Sequence, residues 1–230
     1  MAASNADAVK VLFISSAHSN KAKVSLLKKV AKKHSVKWLI SQQSARAFKK
    51  PADALTRINE HDVIVLDGVS NRESKSTYES YLALIAQSNK VFFAPTWLNE
   101  PNAQKGVTTQ QQENLKDYWK NAGRANFSNM LSYLASDVLQ ITNLAVNPPL
   151  IFPTKGIYHP EYDQLIASDL VTYFNWRKPK ADQAKVALLF NRASIETEQT
   201  ELIDETISQL EQQGVIAVPF FFKLARGEQN

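Results

Sequence analysis

Short apolar runs alternate with longer stretches of helical periodicity in this chain, and this alternation limits its possible folds. Residues 9–14 form a short β-branched run that predicts a buried strand, and Val36–Ile40 predicts a second. Between them, from Val24 to Ala31, apolar residues recur at helical spacing. A strand–helix–strand unit is the building block of a parallel sheet, so we expect these elements to open one.

The same alternation continues through the first 145 residues. Further strands are predicted at Val63–Leu66 and Val91–Ala94, and a polar surface loop at 99–112. Helices are predicted at 53–59, 75–88, about 112–121 and 126–140. The expected fold is α/β, with a doubly wound, mainly parallel sheet in three layers of the flavodoxin or Rossmann type.

Composition changes after this domain. Residues 146–184 form a connector rich in proline and aromatics, with a helix predicted at 162–175, and residues 185–230 predict a fresh strand–helix–strand unit. Its helix, 195–213, ends before Gly214, the residue type favoured just past a helix end. One such unit cannot bury both faces of a sheet. Either it joins the first sheet, or it is the truncated start of a second α/β domain. We expect the second of these.

Several kinds of chemistry are excluded by composition. The chain has no cysteine, which rules out disulfides, thiolate metal sites and a cysteine nucleophile. Its six glycines lie far apart, so neither a G-x-G-x-x-G fingerprint nor a P-loop is present, and nucleotide binding in the usual manner is not expected. Apolar runs are too short to span a membrane, and the first residues contain no apolar signal-peptide core.

Positive charge is concentrated at the start of the chain. Residues 1–50 carry 11 Lys or Arg and one Asp, whereas residues 51–230 carry 16 basic and 21 acidic side chains. Most of the excess belongs to the predicted helix that follows the first strand. A solvated helix face is the ordinary explanation, and a partner is the alternative. We expect a partner surface rather than a nucleic-acid site, with these candidates: Lys28, Lys29, Lys32 and Lys33.

Two polar residues follow strands of the first predicted sheet. His18 lies in the turn after the first strand, and Asp67 ends the third. Parallel sheets bind ligands outside the carboxyl ends of their strands, so the two side chains form a small polar site if they converge. A helix-capping turn and a hydrogen-bonded loop carboxylate are the alternatives. His34 and His61 lie at element edges and are expected to be structural or exposed.

Three further candidates lie in the second half. His159 stands between Tyr158 and Pro160 in a predicted loop, with Gly156 supplying a turn. An imidazole can ligate a metal or hydrogen-bond a carboxylate, and the alternative is a packed histidine that ties the connector to the domain. Arg192 follows a strand, where its guanidinium can hold a carboxylate ligand or pair with a helix acid. Tyr158, His159 and Arg192 are predicted ligand-binding residues, and no catalytic residue or metal ligand is assigned.

Residues 150–222 resemble a known family. The matching elements are Gly156-Ile157-Tyr158-His159-Pro160, a helix ending near Trp176, the strand Lys185–Arg192, the helix pattern Leu202-Ile203-Asp204…Leu210-Glu211…Gly214, and Val218-Pro219-Phe220-Phe221. Their order and spacing resemble the large subunit of cobaltochelatase (CobN) and the related H subunit of magnesium chelatase. The similarity extends over about 70 residues, and the first 145 fit more loosely.

The resemblance implies a function. Large subunits of this family bind a tetrapyrrole and insert Co²⁺ or Mg²⁺, with ATP hydrolysed by separate motor subunits of the AAA+ class. The chain is then an N-terminal head region that helps bind or enclose the tetrapyrrole, without a bound cofactor and without catalysis of its own. The alternatives are a non-catalytic partner-docking module and a stand-alone small-molecule-binding α/β protein. A cytoplasmic location is expected, or a periplasmic one if a signal peptide was removed.

Overall fold

The computed structural model describes residues 8–15, 21–45, 47, 51–67, 75–95 and 104–223. The chain divides into two compact units, Met1–Ile151 and Phe152–Asn230. We call these unit 1 and unit 2. Within the described residues, no helix is both long enough and apolar enough to cross a membrane.

Unit 1 is built on a twisted sheet with helices on its two faces. Its strands are β1 (Val9–Ser15), β2 (Trp38–Ser44), β3 (Val63–Asp67), β4 (Val91–Phe93) and β5 (Gln104–Lys105). Its helices are α1 (Lys21–Ala31), α2 (Pro51–Asn59), α3 (Lys75–Gln87), α4 (Thr109–Asn121) and α5 (Gly123–Tyr133), and α5 continues into a π-helical turn at Leu134–Val138. The strand order is β2-β1-β3-β4-β5, with β1 to β4 parallel and β5 antiparallel. The predicted mainly parallel α/β fold is confirmed.

Alternation along β1 shows how the three layers form. Val11 and Phe13 belong to the core layer under α1, α4 and α5, whereas Leu12 and Ile14 belong to the layer under α2 and α3. Successive strand residues point to opposite faces, so a strand apolar at nearly every position is buried from both sides. All of β3 is buried in the same way.

One prediction in unit 1 is wrong. The segment 99–112, predicted as a surface loop, contains β5 and the start of α4, while residues 99–103 lie outside the described part. Thr108 caps α4 by accepting from the backbone N–H of Gln111, whose side chain accepts in return from Thr108 N–H. This reciprocal capping begins a helix within a polar sequence that has few apolar residues to reveal it.

Unit 2 has a second, smaller sheet. Its elements are β6 (Lys155–Tyr158), β7 (Ile166–Ala167), α6 (Leu170–Arg177), β8 (Lys185–Asn191), α7 (Ala193–Glu196), α8 (Glu201–Gln212) and β9 (Ile216–Phe222). The strand order is β7-β6-β9-β8, in which β8 and β9 are parallel and β6 is antiparallel to β7 and β9. The expected strand–helix–strand unit is therefore β8-α8-β9, and Gly214 has the left-handed φ of 77° expected after the helix.

Three local predictions for unit 2 are corrected. The segment around Gly156 is the strand β6 instead of a loop. The helix predicted at 162–175 is divided, because Leu165 takes a left-handed φ of 61° before β7 and Asp169 caps a later helix, α6. The helix predicted at 195–213 is also divided into α7 and α8, and Glu198 between them has a φ of 54°.

Each face of the unit 2 sheet has its own apolar cluster. Ile157, Ile216 and Val218 pack with Tyr173 of α6, and we call this the α6 face. Ala217 and Phe221 pack with Ile207 of α8 on the opposite side, which we call the α8 face. The two helices thus give the sheet three layers, in the same manner as unit 1 but with fewer buried side chains.

Candidate functional site

The Gly-Ile-Tyr-His-Pro segment forms the end of β6, and its glycine is required by packing. A Cβ on Gly156 would lie 2.8 Å from Cγ2 of Ile166 and 2.9 Å from the ring of Phe221. Contacts this short do not occur between real side chains, so the neighbouring strands lie together only because residue 156 has none. Gly156 therefore brings β6 against β7 and β9, and the turn predicted there is absent.

Tyr158 connects this strand to α8. Its hydroxyl donates a hydrogen bond to Oδ1 of Asp204 at 2.9 Å, and the Thr200 hydroxyl donates to Oδ2 at 2.8 Å. The tyrosine is 5% exposed, and burial raises its pKa. A neutral phenol that donates to a carboxylate is well suited to this position, because both polar atoms are satisfied away from water.

His159 makes a second connection to the same helix. Its Nδ1 accepts from the backbone N–H of Glu161 at 3.1 Å, so the ring hydrogen lies on Nε2, which faces Oε1 of Glu211 at 3.2 Å. The ring is 1% exposed and meets the edge of Trp176, with centroids 4.8 Å apart. Burial lowers the pKa of His159, and the nearby Glu211 carboxylate opposes this effect.

The two acids of α8 share one face of the helix. Asp204 and Glu211 are seven residues apart, which is two helical turns, so both face β6. Glu211 also forms an ion pair with Arg177 of α6, whose guanidinium lies 5.1 Å from the centroid of the Trp176 ring. We call Tyr158, His159, Arg177, Asp204 and Glu211 the clamp, because they join β6, α6 and α8 through charged and polar groups.

Arg192 lies in a separate buried ion pair. It is 3% exposed, and its Nη2 is 2.5 Å from Oε1 of Glu196, which is 5% exposed. Its Nη1 donates to the carbonyl oxygen of Phe152 at 2.9 Å. The arrangement is the ion pair with a helix acid that the sequence offered as an alternative, and ligand binding by Arg192 stays a prediction.

The polar end of the unit 1 sheet brings together Ser15 and Asp67. These residues are register partners in β1 and β3, and Asp67 is fully buried. Its Oδ1 accepts from the indole N–H of Trp119 at 3.1 Å, while Gln42 donates to the Ser15 hydroxyl at 2.9 Å. His18 lies outside the described residues, so its approach to Asp67 stays a prediction.

Helix α1 has the lysine-covered face that its periodicity predicts. Lys28, Lys29, Lys32 and Lys33 are exposed, and no acidic side chain in the described part of the chain lies within ion-pair distance of them. Lys23 differs, because its Nζ donates to the backbone carbonyl of Trp119 at 2.9 Å. The four exposed lysines form what we call the lysine face.

Among the described residues, neither a cluster of metal ligands nor the groove of unit 1 adds a second candidate site. Across the described residues, no group of three or more His, Asp or Glu side chains is placed to hold a metal ion. A groove of about 430 Å³ in unit 1 is lined by α3, β4 and β5, including Leu82, Phe92 and Lys105. It contains none of the residues predicted to bind a ligand.

The partners of the predicted residues were not identified from sequence. Trp176, Asp204 and Glu211 appeared in the resemblance without an assigned role. Arg177 was not singled out, and Glu196 was one of several helix acids that could pair with Arg192. A signal was present for the two α8 acids: they stand seven residues apart, at helical spacing from the inward Ile207. Acids on an inward helix face need buried partners, and this requirement points to Tyr158 and His159.

Comparison with known proteins now gives the family. The family model described as CobN/Magnesium Chelatase matches residues 116–230, half of the chain. The chain belongs to the CobN/magnesium chelatase family. The matched region includes all of unit 2 with its clamp, so the resemblance drawn from the Gly-Ile-Tyr-His-Pro segment and the α8 pattern is confirmed.

Two relatives of the chelatase family illustrate the match. The H subunit of magnesium chelatase from Chlorobaculum parvum is 32% identical over 108 residues, which are 45% of this chain and 8% of that protein. The catalytic subunit of cobaltochelatase from Mycobacterium tuberculosis has a similar fold over 96% of this chain and 17% of its own, with a TM-score of 0.56 and 17% identity. The chain thus spans less than a fifth of the length of these two chelatase subunits.

Proposed function

We propose that this chain is the N-terminal head region of a chelatase large subunit and helps bind or enclose a tetrapyrrole during ATP-dependent insertion of Co²⁺ or Mg²⁺. The metal is then substrate rather than a resident cofactor, and the fragment does not catalyse insertion alone. The observation that carries the proposal is the family match, which runs through the whole of unit 2 and its clamp.

The contacts of the clamp favour a structural role for its residues in enclosing the tetrapyrrole. Nδ1 of His159 accepts from a backbone N–H and its Nε2 faces Glu211, so neither nitrogen has a lone pair free for a metal. Arg192 is held by Glu196 and a carbonyl oxygen. We infer that these residues fix the wall of a tetrapyrrole site. Direct ligand contact by Tyr158, His159 or Arg192 stays a prediction that requires each residue to exchange its present partner.

Titration of the chain with tetrapyrroles tests the proposal. A porphyrin and a hydrogenobyrinate-type corrinoid are added while visible absorption and tryptophan fluorescence are recorded. We expect a saturable spectral shift, because an enclosed tetrapyrrole leaves water for a protein environment. No spectral change at high micromolar ligand would overturn the proposal.

Paired variants separate a wall from a direct ligand contact. His159→Ala removes both ring contacts of the clamp, and Leu202→Ala is its control because Leu202 is 80% exposed on α8. Replacement of a residue that belongs to the wall lowers both the melting temperature of the free chain and its affinity for the tetrapyrrole. Replacement of a residue that contacts the ligand lowers the affinity for the tetrapyrrole and leaves the melting temperature of the free chain unchanged.

The lysine face supports a second candidate function, docking to an acidic partner surface. Four exposed lysines without an acidic neighbour among the described residues keep their charge available for another molecule. We propose that this partner is the AAA+ motor subunits of the chelatase. Such an interface is sensitive to salt, because exposed charges are screened over about 8 Å at physiological ionic strength.

Charge reversal tests the docking function. Lys28, Lys29, Lys32 and Lys33 are changed together to Glu, and binding to purified motor subunits is measured at low and high salt. The matched control makes the same charge change at exposed lysines of unit 2: Lys155, Lys178, Lys180 and Lys185. We expect binding to be lost only in the first variant. Equal binding by both variants would eliminate the lysine face as a docking surface.

A further inference from the structure

Strand β8 leaves an apolar edge uncovered in unit 2. It is the last strand in the order β7-β6-β9-β8, and within the described part of the chain its backbone pairs on one side only, with β9. Leu189 is 72% exposed and Val186 is 37% exposed. Edge strands normally carry charges, prolines or bulges that prevent further pairing. In β8 the charge is Lys185 at the first position, and the apolar run Val186–Phe190 that follows it is a template for another strand.

The most exposed apolar residue of this edge, Leu189, lies on one face of the sheet, whereas Val186, the register partner of Ala217, lies on the other. Ala187 and Leu189 are register partners of Val218 and Phe220, so they point toward the α6 face. Both are exposed, since α6 packs over β6 and β9 and does not reach β8. On the opposite side, Leu188 and Phe190 pack into the cluster under α8.

The handedness of crossover connections predicts what covers this surface. Helix α8 connects β8 to its parallel neighbour β9 across the α8 face, and such connections are right-handed in almost all proteins. A right-handed connection in the reverse direction, from β9 to a strand beyond β8, must cross the other face. That face is the α6 face, where Ala187 and Leu189 are exposed. Both sides of β9 are already paired, by β6 and β8, so the free edge of β8 is the nearest place for a parallel strand.

We propose that the free edge of β8 pairs in parallel with a strand supplied by the polypeptide that follows β9 in a longer protein, and that the connecting helix packs on Ala187 and Leu189. A parallel crossover needs about a dozen residues or more, so this strand lies beyond the 230 residues of the sequence. The two chelatase relatives have ample length for it, because this chain covers only 17% of one and the alignment 8% of the other. This inference concerns the assembly of unit 2 and is independent of tetrapyrrole binding.

Hydrogen exchange distinguishes this occupant from others. The 230-residue chain is compared with the protein encoded by the complete native reading frame, and exchange is measured by mass spectrometry for peptides of β8 and β6. We expect the β8 amides to exchange at least about tenfold more slowly in the longer protein, while the β6 amides exchange alike in both. Equal exchange of β8 in the two proteins overturns the proposal, and so does a reading frame that ends at Asn230.

A second copy of the chain is the competing occupant. If copies pair through β8, the β8 amides of the 230-residue chain exchange more slowly as its concentration rises, and the chain sediments as a dimer. Either result overturns the proposal. Leu189→Lys is expected to abolish the added protection in the longer protein, whereas Leu202→Lys, at the more exposed leucine of α8, is expected to retain it. Loss of protection in both variants, or in neither, counts against the assigned strand.

Discussion

The two units bury their sheets by different means. In unit 1, apolar layers cover a mainly parallel sheet on both faces, and β3 is buried along its whole length. Unit 2 has smaller apolar clusters, and its β6 is joined to α6 and α8 by the clamp. Unit 1 therefore tolerates many apolar sequences with the same alternation, whereas unit 2 depends on particular residues at particular positions.

This difference explains why the family resemblance was drawn from particular residues of unit 2. Apolar layers constrain volume and periodicity, which many residue combinations satisfy. The clamp constrains which amino acid stands at each position, because Tyr158 needs a hydrogen-bond acceptor at residue 204 and His159 needs one at residue 211. Among the residues that carried the resemblance, the clamp requires Tyr158, His159, Asp204 and Glu211, and the close β6 packing requires Gly156.

The largest expected effect comes from the apolar core of unit 1. Phe13 is 1% exposed and stacks on Trp119, with ring centroids 5.0 Å apart. Phe13→Ala removes a buried ring and leaves a cavity around which a packed layer relaxes only in part, so we expect the free energy of unfolding to fall by about 3–5 kcal/mol. Urea unfolding with hydrogen exchange of β1 peptides measures the loss.

The control for this core variant is Leu202→Ala, at a leucine that is 80% exposed. Its unfolding free energy is expected to stay within about 0.5 kcal/mol of the original chain. If the two variants are equally destabilised, apolar burial is not what distinguishes unit 1.

The next effect tests the clamp. Glu211→Ala removes the acceptor of His159 and the ion-pair partner of Arg177, and it leaves both groups largely buried. Breaking a buried ion pair costs about 3–5 kcal/mol, and since Glu211 is itself 19% exposed we expect about 2–4 kcal/mol. Calorimetric unfolding measures it, with Glu205→Ala on the exposed side of α8 as the matched control. Similar losses in both variants would mean that the clamp adds little to unit 2.

A smaller effect is expected at Gly156. Gly156→Ala places a methyl group 2.8–2.9 Å from Ile166 and Phe221, and overpacking of this kind costs about 1–3 kcal/mol. Chemical denaturation measures the change. The double variant Gly156→Ala/Phe221→Leu is expected to recover part of the loss, because a smaller side chain gives the methyl group space. A double variant with the sum of two independent losses would contradict the steric explanation.

Periodicity predicted most of unit 1 and less of unit 2. The alternation of strands and helices indicated the sheet of unit 1 and the β8-α8-β9 unit because every layer repeats the same apolar spacing. It missed β6, since four residues of mixed character carry no detectable period. It also merged α7 with α8, because the left-handed backbone at Glu198 has no signal in side-chain hydrophobicity.

Sequence chemistry names candidate residues more readily than it names their partners. His159 and Tyr158 were chosen for their chemistry and neighbours, and the structure places both against α8. Their acceptors lie 46 and 52 residues further along the chain, a separation at which spacing gives no information about contact. Arg192 shows the same limit, because its partner Glu196 could be named only as one of several helix acids.

The smallest expected effect is a pH dependence shared by the two units. His34 and His61 in unit 1 each donate through one ring nitrogen and accept through the other, as His159 does in unit 2. Burial lowers the pKa of all three below the ordinary 6.5. As pH falls through that value, the unfolded chain takes up protons that the folded chain refuses, so stability decreases until the folded pKa is reached. At pH values well above 6.5, where these histidines are neutral in both states, stability is expected to be constant with respect to them.

Urea unfolding between about pH 7.5 and about pH 5.5 measures this loss, and exchange of β6 and β1 peptides assigns it to a unit. His159→Gln keeps a donor and an acceptor but does not titrate, so β6 is expected to become less sensitive to pH while β1 keeps its sensitivity. The Glu211 carboxylate favours a charged His159, so unit 2 is expected to lose less than unit 1, which has two histidines without such an ion-pair partner among the described residues. A gain in stability on acidification would mean that Glu211 outweighs burial at His159, and the clamp would then be a charged pair rather than a neutral one.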